Sequence, residues 1–99
     1  MEDILGKLDS YINKVRELVE KAKKVDINNE REVKQLLSEL TNIGLDFVSE
    51  IAEFKAKYPE EAEKLKKEIG KRVSQLEGLI IRVKIELDRK MLREMLKAI

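Results

Sequence analysis

The sequence predicts an all-α fold, an antiparallel three-helix bundle of the coiled-coil type whose long third helix projects beyond the other two. Apolar residues recur in alternating steps of four and three along most of the chain, as in heptad-patterned helices. Proline occurs once and glycine four times, and only residues 26–29 and 58–59 interrupt the pattern. We expect one helical domain, residues 1–99, with helices at about 3–25, 30–57 and 59–98.

The first helix is predicted from an unbroken heptad pattern that ends just before a pair of asparagines. Its seam consists of Ile4, Leu8, Tyr11, Val15, Leu18, Ala22 and Val25. Asn28 and Asn29 favour a turn, and Asn29 followed by Glu32 is a capping-box variant that opens the next helix.

The second helix continues the same spacing and ends before the only proline. Its seam consists of Val33, Leu37, Leu40, Gly44, Phe47, Ile51, Phe54 and Tyr58. A glycine on the seam predicts that a neighbouring helix approaches closely at this position. Pro59 disfavours helical backbone at Tyr58 and suits the first position of a following helix.

The pattern of the third helix allows two interpretations. Its seam consists of Ala62, Leu65, Ile69, Val73, Leu76, Ile80, Val83, Leu87 and Met91. Within it, the segment Leu79–Leu87 is rich in β-branched residues and alternates partly with period two, so an intermolecular strand is the alternative to a helix. Gly70 and Gly78 indicate either close packing or a kink.

The helix lengths predict an apolar surface without a partner in its own chain. An antiparallel third helix would pass the second near Leu87, leaving about a dozen residues beyond the Asn28–Asn29 turn. The predicted partner-binding residues are Ile81, Ile85, Met91, Leu92, Met95, Leu96 and Ile99. The alternatives are a kink at Gly78 that folds the segment back, or fraying of the last turns.

The second helix carries a weaker signal for a contact with a basic partner. No lysine or arginine occurs from Gln35 to Phe54. The residues predicted for this acidic contact are Leu45, Asp46, Val48 and Glu50. The alternative is a solvated helix face whose counter-charges come from neighbouring helices.

The composition argues against catalysis and against cofactors. The chain has no cysteine and no histidine, so it lacks thiolate nucleophiles, zinc–thiolate sites, the usual general base and the commonest metal ligand. Its serines have no histidine to activate them, and its glycines are dispersed rather than gathered in a phosphate-binding loop. We therefore predict no catalytic residue, no metal or cofactor site, no small-molecule substrate and no enzymatic activity.

A nucleic-acid interface is the alternative function. Residues 59–99 contain eleven basic and eight acidic residues, a net charge of +3, although the whole chain carries only +1. The residues that would contact phosphates are Lys64, Lys67, Lys71, Arg82, Arg89 and Arg93. Because no aromatic residue is interleaved with them, only weak binding beside a DNA- or RNA-processing complex is expected.

The main prediction is a protein-interaction module, an accessory subunit or adaptor that self-associates or docks on a larger protein through the third helix. Charged residues make up 41% of the chain, which is typical of a soluble protein and resembles thermophile composition. The longest apolar run is three residues, so no membrane span is expected, although the last twelve residues also suit a membrane surface. Acidic residues follow Met1 where a secretory leader would be basic, so we expect a cytoplasmic protein.

Overall fold

The structure, a computed structural model, describes residues 3–99 as four consecutive helices. These are α1 (Ile4–Lys24), α2 (Glu30–Lys57), α3 (Pro59–Lys64) and α4 (Lys66–Ala98). No strand occurs among these residues, and the molecule measures 58 × 22 × 16 Å along its principal axes. The all-α fold with a long last helix is therefore confirmed, and the first two residues of the predicted domain lie outside the described residues.

Helix α1 is the centre of the fold, because it packs along both α2 and α4 while those two helices hardly approach each other. A carboxylate oxygen of Asp3 accepts the backbone N–H of Gly6 at 3.0 Å and caps the helix start. Because α1 packs against two helices, it buries residues on either side of its predicted heptad seam as well as on the seam itself. The residues of α1 that are buried are Ile4, Leu8, Ile12, Val15, Leu18, Val19 and Ala22.

Helix α2 begins where the asparagine pair predicted. The side-chain oxygen of Asn29 accepts the backbone N–H of Glu32 at 3.3 Å, whereas the backbone N–H of Asn29 donates to the carbonyl of Asp26. The helix buries Leu36, Leu40, Phe47 and Phe54. The heptad spacing predicts Leu37 on the seam, but the helix is rotated so that Leu36 is buried and Leu37 is exposed.

The predicted third helix is divided at Leu65, where the backbone lies at φ −94°, ψ 3°. A kink at Gly70 or Gly78 is wrong, since α4 is unbroken through both, and the strand alternative for Leu79–Leu87 is wrong for the same reason. Helix α4 buries Ile69, Leu76, Val83 and Leu87. Val73 and Met91, both on the predicted seam, are exposed because the seam drifts away from α1 at these positions.

The short helix α3 shifts the alignment of α4 against α2. The amide nitrogen of Asn28 lies 3.3 Å from a carboxylate oxygen of Glu94, so the α1–α2 connection lies beside Glu94 rather than Leu87. Helix α3 takes up the first six residues after Tyr58, so α4 begins at Lys66, about two helical turns later along the chain than Pro59. The part of α4 beyond the connection is therefore shorter than the dozen residues expected.

The helical glycines do not mark close packing within the molecule. A Cβ atom added to Gly44, Gly70 or Gly78 would meet no atom within 4 Å. The prediction that a neighbouring helix of the same chain approaches them is therefore wrong.

Candidate protein-interaction surface

The C-terminal half of α4 has a buried side and an exposed apolar side. Val83 and Leu87 are 0% and 6% exposed against α1, whereas Leu92 and Leu96 are 59% and 71% exposed. We call the following exposed residues the C-terminal stripe: Ile81, Ile85, Met91, Leu92, Met95, Leu96 and Ile99. They are the seven residues that the sequence predicted to bind a partner, and none of them is buried by the rest of residues 3–99. Since α4 does not fold back at Gly78, the alternative in which the chain buries its own stripe is wrong.

An open groove runs between α2 and α4 on the side of the molecule opposite α1. It has a volume of about 530 Å³. It is lined from α2 by Phe47, Val48, Ile51 and Ala52, and from α4 by Val73, Leu76, Glu77, Ile80, Ile81 and Lys84. The groove exists because α1 holds α2 and α4 apart and no further helix fills the gap.

The groove and the C-terminal stripe form one surface, because both lie on the sides of α2 and α4 that are turned away from α1. We call this surface the open face. Its exposed large apolar residues are Leu37, Leu45, Val48, Val73, Ile81, Ile85, Met91, Leu92, Met95, Leu96 and Ile99. Sequence reasoning missed the groove, although Val48, Ile51 and Ala52 recur at helical spacing beside the seam of α2 and indicate a second apolar side.

The four residues proposed for an acidic contact do not share one side of α2. Val48 lines the groove, whereas Glu50 lies on the other side of the helix, 3.6 Å from the ammonium group of Lys7 on α1. Leu45 lies with Val48 on the open face, and Asp46 lies on the outer edge of α2, close enough to Tyr11 of α1 to influence its hydroxyl. Burial, and then the carboxylates of Glu50 and Asp46, raise the pKa of the Tyr11 hydroxyl.

The acidic side chains instead form the outer edge of α2. We call Glu39, Asp46 and Glu53 the acidic flank. Glu39 pairs with Lys21 of α1 at 3.6 Å. Neither Asp46 nor Glu53 forms an ion pair with another residue of the range 3–99. The acidic flank therefore retains negative charge at the surface.

The basic residues of α4 form the opposite outer edge of the molecule. We call Lys67, Lys71, Arg82, Arg89 and Arg93 the basic flank, since their spacing places them on one side of α4. Lys71 lies 3.2 Å from Glu68, and Arg82 and Arg89 lie 3.2 and 3.5 Å from Glu86. Lys64, the sixth predicted phosphate contact, belongs to α3 and lies 3.5 Å from Glu61. Neighbouring glutamates thus neutralise part of this positive charge.

Among residues 3–99, the structure contains no buried polar or charged side chain and no group of three or more acidic side chains placed to hold a metal ion. None of the helices in this range has the length and apolar content needed to cross a membrane.

The chain is significantly similar to no protein-family model, no curated protein and no solved structure.

Proposed function

We propose that this protein is a non-enzymatic interaction module, an accessory subunit or adaptor that contacts another protein chain through the C-terminal stripe of α4. The observation that carries the proposal is the exposure of seven large apolar side chains on one helix whose opposite side is already buried. Burying a side chain of this size contributes about 1.5–3 kcal/mol, so a protein that covers the stripe gains considerable binding energy.

The chemistry of the stripe agrees with a protein contact. Met91 and Met95 are flexible and polarisable, which suits an adaptable contact surface. The surface is also larger than the few scattered apolar residues that a monomer normally exposes.

The proposal is tested by removing the stripe without disturbing the fold. Leu92→Gln/Leu96→Gln replaces two exposed leucines, so the helical circular dichroism of the chain should stay unchanged. We expect this variant to lose the complex that the wild-type chain forms, measured as intact mass by native mass spectrometry after purification from the source cells.

The matched control is Arg89→Gln/Arg93→Gln, which changes two residues of the same turns on the basic flank. It should keep the protein complex. If the wild-type chain is purified alone, as a monomer with no associated protein, the proposal is wrong.

A weak nucleic-acid contact is a second candidate, favoured by the position of five basic residues on one flank of α4. In such a contact, lysine and arginine side chains pair with the phosphates of the nucleic acid and release their counterions. Its affinity would therefore fall steeply as the salt concentration rises. Arg89→Gln/Arg93→Gln should then weaken a low-salt gel shift that Leu92→Gln/Leu96→Gln leaves intact. No shift with micromolar wild-type protein at low salt would exclude this candidate.

A further inference from the structure

We propose that the occupant of the open face is a second copy of this chain. The two copies are related by a two-fold axis parallel to the helices, with α2 of each copy packed against α4 of the other. This inference rests on the proposed function and specifies its partner. It adds the groove between α2 and α4 to the contact, which then extends from Val48 and Val73 at one end to Ile99 at the other.

The gap between α2 and α4 is an apolar groove that no helix of the described residues covers. On the side that faces α1, the gap between α2 and α4 is filled by packed side chains. On the opposite side, the gap is an apolar groove along which Val48 and Ile81 are exposed. The other clefts along α1 and the α1–α2 connection are lined mainly by charged residues such as Lys21, Glu39 and Arg93. Apolar helix surface is stabilised by packing against another apolar helix surface, which residues 3–99 of the same copy do not supply on this side.

The area of the open face is enough for a stable dimer. A Leu-sized side chain corresponds to about 60–120 Å² of apolar area at ~25 cal/mol per Å². The eleven residues of the open face are each 38–101% exposed, and together they provide about 500 Å² of apolar area on this basis. Since interfaces are about 60% apolar, this corresponds to about 800 Å² per chain, the contribution of each partner to a standard interface.

The charges on either side of the open face favour a second copy and select its orientation. The acidic flank lies along α2 and the basic flank lies along α4, so the open face is bordered by opposite charges. A two-fold axis parallel to the helices places the acidic flank of each copy beside the basic flank of the other. A two-fold axis perpendicular to the helices would instead bring acidic flanks together.

The antiparallel alignment of α2 and α4 identifies the individual pairs. Residues near the start of α2 lie at the height of Glu94, and residues near its end lie at the height of Lys66. An axis parallel to the helices preserves these heights. Glu53 of one copy then lies level with Lys71 of the other, and Asp46 lies about one helical turn from the level of Arg82 of the other.

Two glycines beside the groove agree with the approach of another helix. Gly44 of α2 and Gly70 of α4 have open space within 4 Å of the position of a Cβ atom. Glycine costs about 1 kcal/mol relative to alanine inside a helix, and no contact within the chain compensates for this cost. A helix from the second copy can pack closely against the backbone at these positions.

The first experiment measures self-association of the full chain by sedimentation equilibrium from 1 to 100 µM. We expect the wild type to reach twice the 11.5 kDa of one chain. Val48→Lys/Ile81→Lys should weaken dimerisation at least tenfold with unchanged helical content. Ser10→Lys, an exposed change on α1 and so on the side of the molecule away from the open face, is the control and should dimerise normally.

The second experiment tests the orientation by charge reversal. Asp46→Lys/Glu53→Lys should weaken dimerisation about tenfold, because it places like charges together on both borders. Adding Lys71→Glu/Arg82→Glu to the same chain should restore most of the affinity. If affinity is not restored, the axis parallel to the helices is wrong.

The outcomes separate this inference from the proposed function. A wild-type chain that is monomeric at every concentration, but whose native complex with another protein depends on Leu92 and Leu96, overturns the second copy and leaves the proposed function standing. A dimer that Val48→Lys/Ile81→Lys does not weaken overturns the groove as the contact. A chain that forms neither dimer nor complex overturns both.

Discussion

At the scale of single residues, Arg72 is the side chain that connects the first and last helices electrostatically. Its guanidinium donates to both carboxylate oxygens of Asp9 on α1, at 2.8 and 3.4 Å, and to the carbonyl and carboxylate of Glu68. Hydrogen bonds from Lys71 and Arg72 lower the pKa of the Glu68 carboxyl below its ordinary value. The hydrogen bond to Asp9 raises the pKa of Arg72 itself, so the guanidinium stays charged throughout the accessible pH range.

Arg72→Lys should lower the free energy of unfolding by about 1 kcal/mol, although it preserves the charge. An ammonium group cannot donate in parallel to both oxygens of Asp9 and also reach Glu68. Urea unfolding followed by circular dichroism at low protein concentration measures the change. An equal substitution at Arg93, which forms no ion pair within residues 3–99, is the control and should have little effect.

Gly78→Ala should raise the free energy of unfolding by about 1 kcal/mol, because alanine has the higher helix propensity and its Cβ atom meets nothing within 4 Å. The control is Gly6→Ala, whose Cβ atom would collide with the Asp3 carboxylate that caps α1. There the gain in propensity is offset by a cap worth about 1 kcal/mol. Thermal unfolding of both variants measures the difference, and equal stabilisation would contradict this account.

At the scale of elements, the sequence predicts where helices begin and end wherever a residue carries a local signal. Asn29 and Pro59 each act through their own backbone neighbourhood, so α2 has the predicted bounds of 30 and 57. The break at Leu65 has no glycine or proline to announce it. It lies where Ala62 and Leu65 pack against the core, which is tertiary information. Adjacent Leu36 and Leu37 both satisfy heptad spacing, so only the packed structure determines which one is buried.

The two sides of α4 should respond differently to the same substitution. Leu87→Ala removes a buried side chain and should lower the free energy of unfolding by about 2–5 kcal/mol. Leu96→Ala should change it by less than about 0.5 kcal/mol, since this leucine is exposed in the single chain. The measurement is urea unfolding at a concentration below the dimerisation range. A large loss at Leu96 in the isolated chain would show that the stripe is covered within the protomer.

At the scale of the whole molecule, the apolar stripe of α4 was predictable because a helix cannot direct two apolar sides into one small core. The groove was not predictable, because it depends on how far α1 separates α2 from α4, and helical periodicity contains no such distance. The height at which α4 passes the α1–α2 connection was also missed, since it depends on the break at Leu65 that separates α3 from α4. The sequence thus predicts the apolar stripe of the candidate site, whereas the groove is found only in the packed structure.

The central position of α1 has a consequence for how the chain folds. The ribosome makes α1 before α2 and α4, and the helix that packs against α1 most extensively, α4, begins about forty residues after α1 ends. Until α4 emerges, α1 can be covered only by α2, and a two-helix hairpin leaves the other side of α1 in water. Stable folding therefore waits for a long loop to close, and the growing chain exposes apolar surface in the meantime.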